Sequence, residues 1–233
     1  MNNEIGEAAR LAYLDALGVT VWRPRDAADP VAADDFQPEV AAEPAATTDW
    51  ASLQRTVAAC TLCDLHNSRT QTVFGTGSTQ ADLLVIGEAP GAEEDRRGEP
   101  FVGPAGQLLD EMLRAIGLDR NVVYIANILK CRPPGNRDPQ NSEAASCRPY
   151  LDAQIRLLQP RVILAVGRIA AQQLLGSDLP LGRMRGQVHT LGSAGVPVVV
   201  TYHPAYLLRT PIHKRKAWQD LCVARNLLQG RPA

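Results

Sequence analysis

The chain has 233 residues, of which 45% are hydrophobic, so it is long enough for one well-buried domain with an appendage. No apolar run approaches the roughly 18 residues that span a bilayer. The N-terminus also lacks the basic start and the apolar stretch of a signal peptide. We therefore expect a cytoplasmic protein with no membrane segment.

The net charge of −1 conceals two parts of opposite charge. Residues 1–50 carry ten acidic and three basic side chains, whereas residues 51–233 carry fifteen acidic and twenty-one basic ones. Between Asp178 and Asp220 there are six basic residues and no acidic one. Such a segment attracts a DNA backbone through counterion release, although solvated basic surfaces without a function are nearly as common.

Residues 1–50 are predicted to be largely disordered, whereas residues 51–233 are predicted to be folded. Apolar residues recur at helical spacing over residues 4–17, which predicts a short N-terminal helix. Residues 26–49 are rich in Ala, Pro and acids, so we expect a disordered linker there. The first 25 residues are a candidate docking segment for a protein partner. Residues 51–233 are predicted to form the functional domain, which we expect to be a monomer.

Four short apolar runs predict buried strands in the domain, at residues 82–87, 122–128, 161–167 and 197–202. Helical patterns alternate with them, at residues 104–116, 142–158, 168–175 and 212–229. Strands that are apolar throughout and alternate with helices indicate a parallel sheet covered on both faces. The expected fold is therefore α/β, a three-layer α/β/α sandwich around a central four-stranded parallel sheet.

The predicted strands end in loops that carry residues suited to ligand binding. These are residues 87–95, Asn127, Gly167 and His203. Ligands of open α/β sheets bind outside the carboxyl ends of the strands. The loop at 87–95 lacks the residues of a phosphate-binding loop, and its acids would repel phosphate. A carboxylate there could instead hold a water or stabilise positive charge.

Five cysteines occur in the chain, namely Cys60, Cys63, Cys131, Cys147 and Cys222. A cytosolic compartment argues against disulfides. The first two form a C-x-x-C pair, and with the next two they could supply four ligands of a tetrahedral site. Four thiolates suit either zinc or a [4Fe–4S] cluster, and spacing alone slightly favours zinc. Cys222 lies in an amphipathic helical run and is expected to be a core residue.

Three stretches of the sequence resemble, in order, the motifs of the family 4 uracil-DNA glycosylases. They are GEAPGAEED with PFVGPAGQLLD, NILKCRPPGNRDP, and HPAYLLR. The resemblance extends over nearly the whole domain. It implies an enzyme that hydrolyses the N-glycosidic bond of uracil in DNA to start base excision repair. It also implies a [4Fe–4S] cluster on Cys60, Cys63, Cys131 and Cys147, which reverses the preference for zinc.

The resemblance places the uracil pocket at Glu88, Ala89, Pro90, Phe101, Asn127 and His203. Phe101 would stack on the base, although a core role is the ordinary role of a phenylalanine. The Asn127 amide complements the N3–H and O4 edge of uracil, or it caps a turn. His203 would donate a hydrogen bond to uracil O2 as charge develops, although a lone histidine is more often structural.

Glu88 is the leading candidate to orient the attacking water or to stabilise the sugar cation, and Glu94 is the second. Ala89 stands where the best-known uracil glycosylases carry an activating aspartate. We therefore expect stabilisation of the departing base by His203 to account for more of the rate enhancement.

The basic segment supplies the candidate DNA contacts. Leu207 would enter the groove that the flipped base leaves, and Arg209 would bind a phosphate together with Lys214 and Arg215. Two alternatives remain open, a non-catalytic or covalently trapping uracil-DNA binder and a zinc-stapled nucleic-acid-binding module. Trapping relatives carry a basic insertion that ends in a histidine, and residues 130–134 hold neither.

Overall fold

The computed structural model describes residues 49–192 and 195–231, together with Ala16. The helix expected over residues 4–17 and the linker expected over residues 26–49 lie outside this range, except for Ala16 and Asp49. Within the described residues, no helix has both the length and the apolar character needed to cross a membrane.

One mixed sheet organises the described part of the chain. Its strands are β1 (Thr76–Gly77), β2 (Leu83–Gly87), β3 (Tyr124–Asn127), β4 (Val162–Val166), β5 (Val188–Leu191) and β6 (Val196–Thr201). They lie in the spatial order β1-β3-β2-β4-β6-β5. The four inner strands are parallel, while β1 and β5 pair with them in the antiparallel direction at the two edges.

The α/β class is confirmed, but the count of four strands is wrong. The four predicted runs are the inner strands β2, β3, β4 and β6. The edge strands escaped prediction because β1 has only two residues, Thr-Gly, and β5 is only partly buried. Neither has the continuous apolar run that marks a strand covered on both faces.

Helices cover both faces of the sheet. They are α1 (Trp50–Ala58), α2 (Ala92–Arg97), α3 (Pro104–Ala115), α4 (Asn141–Leu158), α5 (Arg168–Leu175), α6 (Leu181–Met184), α7 (Pro204–Arg209) and α8 (Lys214–Leu228). Pro104 occupies the first turn of α3, where its missing N–H leaves no partner unsatisfied. Gly176 ends α5 in the left-handed conformation. The predicted helices 104–116, 142–158 and 168–175 match α3, α4 and α5 within one residue at each end.

Alternate strand residues point into two separate cores. Ile86 packs in the core that α4 and α5 cover, whereas Val85 packs in the core that α3 and α8 cover. Because successive side chains of a strand point to opposite faces, each inner strand contributes to both layers. The predicted three-layer arrangement is confirmed.

Helix α1 belongs to the folded domain. The Oδ1 atom of Asp49 accepts a hydrogen bond from the Ser52 N–H at 2.9 Å and so caps the helix. The Trp50 ring lies 6.1 Å from the Phe74 ring and 4.9 Å from the Tyr124 ring, centroid to centroid. A domain boundary after residue 50 would therefore cut through the start of α1.

Candidate active site and cysteine cavity

Strand ends meet at the candidate site. Gly87 of β2 and Asn127 of β3 are partners in the parallel register, each as the last residue of its strand. Gly167 follows β4 with a φ of 101°, and a Cβ atom at this position would lie 3.1 Å from the His203 Cβ. The absence of a side chain at Gly167 thus lets His203, which follows β6, lie close to the β4 end.

The Asn127 and Phe101 side chains lie against Gly87, and the His203 ring lies on the Phe101 ring. Asn127 is buried, and its Oδ1 atom has no hydrogen-bond partner among the described residues. A Cβ atom at Gly87 would collide with this oxygen and would lie 2.6 Å from the Phe101 Cζ. The Phe101 and His203 rings are stacked, with centroids 5.6 Å apart. An unpartnered buried acceptor is costly, so the Asn127 amide is suited to a ligand that donates a hydrogen bond.

The protonation state of His203 follows from its surroundings. The Ala205 backbone N–H donates to the His203 Nδ1 at 3.1 Å. Burial, aided by the charge of Arg209 and opposed by that of Glu94, lowers the pKa of His203 to about 4. The imidazole is therefore neutral near pH 7 and carries its proton on Nε2. It can donate this proton in a hydrogen bond to a ligand.

Glu88 directly follows β2 and is partly buried. Burial and the charge of Asp138 raise its pKa to about 7, while the charge of Arg168 opposes the shift. The Arg168 Nη2 donates to the Asp138 Oδ2 at 3.0 Å, which leaves the two charges paired beside Glu88. A carboxyl group that titrates near neutrality is suited to general-base work. Ala89 is partly buried, and Pro90 is buried.

Glu94 binds the loop that presents Phe101. Its Oε1 atom accepts hydrogen bonds from the backbone N–H groups of Val102 at 3.0 Å and Gly103 at 3.2 Å. Its charge partly opposes the lowering of the His203 pKa. One of the Glu94 oxygens therefore already has two donors from the Phe101 loop.

The predicted DNA-contacting residues divide into two groups. Arg209, Lys214 and Arg215 are exposed. Leu207 is fully buried in the core beneath α3 and α8, so as it stands it presents no surface to DNA, and its DNA contact remains a prediction. The neighbouring Leu208 is 45% exposed and is the leucine that this face presents to solvent.

A stack of rings, which the sequence did not reveal, supports the segment after His203. The Tyr202 ring lies 5.2 Å from the Tyr206 ring and 5.0 Å from the His213 ring. The Arg185 guanidinium lies 4.3 Å above the Tyr202 ring. Asp220 accepts hydrogen bonds from this guanidinium at 2.7 and 2.8 Å. These contacts join residues far apart in the chain, so no local pattern could have indicated them.

Cys60, Cys63, Cys131 and Cys147 line one cavity, together with Val57, Arg69 and Tyr150. The first two lie in the turn after α1, the third in the loop after β3, and the fourth on α4. Burial raises the pKa of the thiols of Cys63, Cys131 and Cys147, the last to about 12. Among the described residues, no three His, Cys, Asp or Glu side chains are grouped so that they could hold a metal ion. Cys222 lies on α8, across the sheet from α4.

Two basic residues beside the cavity were not singled out from the sequence. The Arg69 Nη1 donates to the Cys131 Sγ at 3.1 Å. Lys130 is fully buried, and its Nζ donates to the Asn127 carbonyl at 2.9 Å and to the Gln154 Oε1 at 2.6 Å. Its own backbone N–H lies 3.5 Å from the Cys147 Sγ. Lys130 therefore links the cysteine cavity to the strand end that carries Asn127.

An α/β/α sandwich with an unpartnered buried amide and a stacked Phe–His pair at its strand ends has the arrangement of a ligand-binding α/β protein. The family model of the uracil DNA glycosylase superfamily matches residues 74–222, and the chain belongs to that superfamily.

Within the superfamily, the chain is similar to type-4 uracil-DNA glycosylases. It is 47% identical to that of Archaeoglobus fulgidus over 67% of this chain and 82% of the relative. Identity to the enzyme of Pyrobaculum aerophilum is 42%, over 75% of this chain and 92% of the relative. Identity to the enzyme of Thermotoga maritima is 46%, over 73% of this chain and 90% of the relative. The predicted resemblance to family 4 is confirmed.

Proposed function

We propose that this protein is a DNA glycosylase that hydrolyses the N-glycosidic bond of uracil in DNA. The relatives that support this function are named uracil-DNA glycosylases. The observation that carries the proposal is the meeting of the Phe101 ring and the unpartnered Asn127 amide at Gly87, with the neutral His203 ring stacked on Phe101.

The pocket supplies what recognition of a flipped base requires. A base inside a duplex must be extruded and then read by stacking and by hydrogen bonds to its edge. The Asn127 Oδ1 can accept from uracil N3–H, and the amide N–H₂ can donate to O4. The Phe101 ring provides the stacking surface, and Ala89 and Pro90 form the adjoining wall after β2.

His203 acts on the departing base. As the glycosidic bond breaks, negative charge develops on uracil, and the Nε2–H of the neutral imidazole donates to O2. A donor already placed where charge develops lowers the barrier without reorganisation at the moment of reaction.

Glu88 acts on the sugar side of the bond. Its carboxylate orients the attacking water or stabilises the oxocarbenium-like sugar. The water oxygen bonds to C1′ as the bond to uracil breaks, and the released proton passes through the Glu88 carboxylate or solvent and finally protonates the uracil anion. Glu94 is the second candidate for this role. Its hydrogen bonds to Val102 and Gly103 favour a part in holding the Phe101 loop.

The cysteine cavity is proposed to hold a [4Fe–4S] cluster. Four thiols line the cavity, and the N–H groups of Arg69 and Lys130 face the Cys131 and Cys147 sulfurs, as thiolate ligands prefer. Four cysteines that hold a cluster with several irons would not need to gather around one ion. Such a group would tie α1, the loop after β3 and α4 together when bound.

DNA is proposed to lie across the exposed face of α7 and the start of α8. Arg209, Lys214 and Arg215 would bind phosphates, and Leu208 would enter the groove in place of the flipped base.

Release of free base from an oligonucleotide with a single uracil tests the proposed function. We expect release of uracil and formation of an abasic site, with no release from matched oligonucleotides that carry thymine or cytosine at that position. DNA binding without base release would contradict the enzymatic proposal and favour a binding protein.

A further inference from the structure

The Phe101 backbone adopts an unusual conformation. Its φ angle is 54°, in the left-handed region that bulky L residues rarely occupy. Strained residues of this kind persist only where the surrounding structure holds them, and they cluster at functional sites. The contacts that hold Phe101 are therefore of functional interest.

Arg120 holds the Phe101 backbone from the side of β3. Its Nη1 donates to the Phe101 carbonyl at 3.1 Å, and its Nη2 donates to the Pro100 carbonyl. Gly106 lets α3 lie against the same carbonyl, because any Cβ atom at Gly106 would collide with it. The guanidinium fork thus satisfies two successive carbonyls of one strained turn.

Arg120 is itself fixed in place. Its Nη1 also donates to the Asp110 Oδ1 at 3.2 Å, and both side chains are largely covered, with exposures of 24% and 29%. Asp110 lies on α3, and Arg120 lies in the segment before β3, whose last residue is Asn127. The contact therefore links the stacking ring to the strand that carries the edge-reading amide.

We infer that Arg120 is a positioning residue for base recognition, which holds Phe101 in the conformation that faces the base. The inference rests on the proposed role of Phe101 in stacking on uracil. The guanidinium of Arg120 binds the Phe101 and Pro100 carbonyls and the Asp110 carboxylate, so it acts through Phe101.

Inhibition by free uracil tests this role, because it reports the base pocket without the phosphate contacts. Arg120→Met should weaken uracil inhibition roughly tenfold, as loss of a strained and preorganised conformation would. The KM for the oligonucleotide should change far less. Arg114→Met is the matched control, since Arg114 is an exposed arginine of α3 whose ion pair among the described residues is with the exposed Glu111. It should leave uracil inhibition unchanged.

A double-mutant cycle separates positioning from general stabilisation. If Arg120 acts through Phe101, the Phe101→Ala/Arg120→Met protein should bind uracil no more weakly than Phe101→Ala alone. If the uracil affinity of the double variant instead falls by the product of the two single losses, the inference is overturned. If Phe101→Ala itself leaves uracil inhibition unchanged, the proposed base pocket fails, and the role of Arg120 fails with it.

Arg120→Lys tests the same role if the Arg120→Met protein does not fold. Lysine keeps the charge beside Asp110 but cannot present the planar fork to both carbonyls. A folded Arg120→Lys protein should therefore show weakened uracil inhibition. Unchanged uracil inhibition in this folded variant would contradict the proposed role.

Discussion

Burial shifts the pKa values of His203 and Glu88 in opposite directions. Burial favours the neutral form of each group, so it lowers the pKa of the His203 imidazole to about 4 and raises the pKa of the Glu88 carboxyl to about 7. Near pH 7 the histidine is a neutral donor, while the glutamate lies at its titration point. The two residues should therefore leave different signatures in the pH dependence of the reaction.

We expect protonation of Glu88 to cause the fall in kcat/KM on the acid side of the pH profile, the acid limb. Below about pH 7 its carboxylate is protonated and can no longer assist the water or the cation, so kcat/KM should fall with one proton. Glu88→Gln should lower the rate near neutrality and remove this limb. His203 stays neutral down to about pH 4, so it adds nothing to the limb. Persistence of the limb in Glu88→Gln would assign it to another group.

Asn127 should decide which base edge is accepted. In Asn127→Asp a carboxylate can accept from the cytosine amino group but cannot donate to uracil O4. We expect weaker uracil excision and new release of cytosine from matched oligonucleotides. Asn121→Asp, at an exposed asparagine before β3, is the control and should keep the original preference. Unchanged preference in Asn127→Asp would place base recognition elsewhere.

Single residues show what could and what could not be predicted from the sequence. His203, Asn127 and Phe101 were predicted to gather because they follow strands or belong to a distinctive loop, and the structure brings them together. Leu207 and Leu208 are adjacent in a six-residue helix. So short a helix has no periodicity that tells which leucine is buried. Arg120 could not be found because its contact to Phe101 joins positions 19 residues apart.

At the scale of elements, prediction succeeded where burial was complete. The inner strands and α3, α4 and α5 carry strong apolar patterns because both faces of the sheet are covered. The strands β1 and β5, and the short helices α6 and α7, have little buried surface of their own. Tertiary contacts decide such elements, and a local pattern does not record them.

The cysteine cavity joins several of these elements, and its metal content can be measured. Purified protein should be yellow-brown and should contain about four irons per chain. Cys147→Ser should lose the colour and the iron, because Cys147 contributes one of the four thiols of the cavity.

Cys222→Ser is the matched control for the metal content, since this cysteine lies on α8 and does not line the cavity. The control should keep the colour. Stoichiometric zinc in anaerobically prepared protein would contradict the proposed cluster.

For the whole molecule, we expect residues 49–231 to hold all that base excision requires. Deletion of residues 1–48 should leave the melting temperature and the excision rate nearly unchanged, because every proposed site residue lies in the folded domain. Loss of soluble protein on this deletion would instead show that the N-terminal segment completes the core.

Deletion of residues 1–50 should behave differently. It removes the Asp49 cap, which contributes about 1 kcal/mol in comparable helices. It also removes the Trp50 ring from its contacts with Phe74 and Tyr124. The melting temperature should therefore fall relative to the shorter deletion. Equal melting temperatures of the two deletions would show that Asp49 and Trp50 add nothing to the stability of the domain.

The single-turnover rate of uracil release by His203→Ala, set against the unaltered protein, tests most directly whether this pocket performs the chemistry. Loss of one preorganised donor to the departing base should slow release by about 10²–10³-fold. Binding to the same oligonucleotide should weaken far less, because phosphate contacts supply much of the affinity. Release at the unaltered rate by a folded His203→Ala protein would contradict the proposed active site.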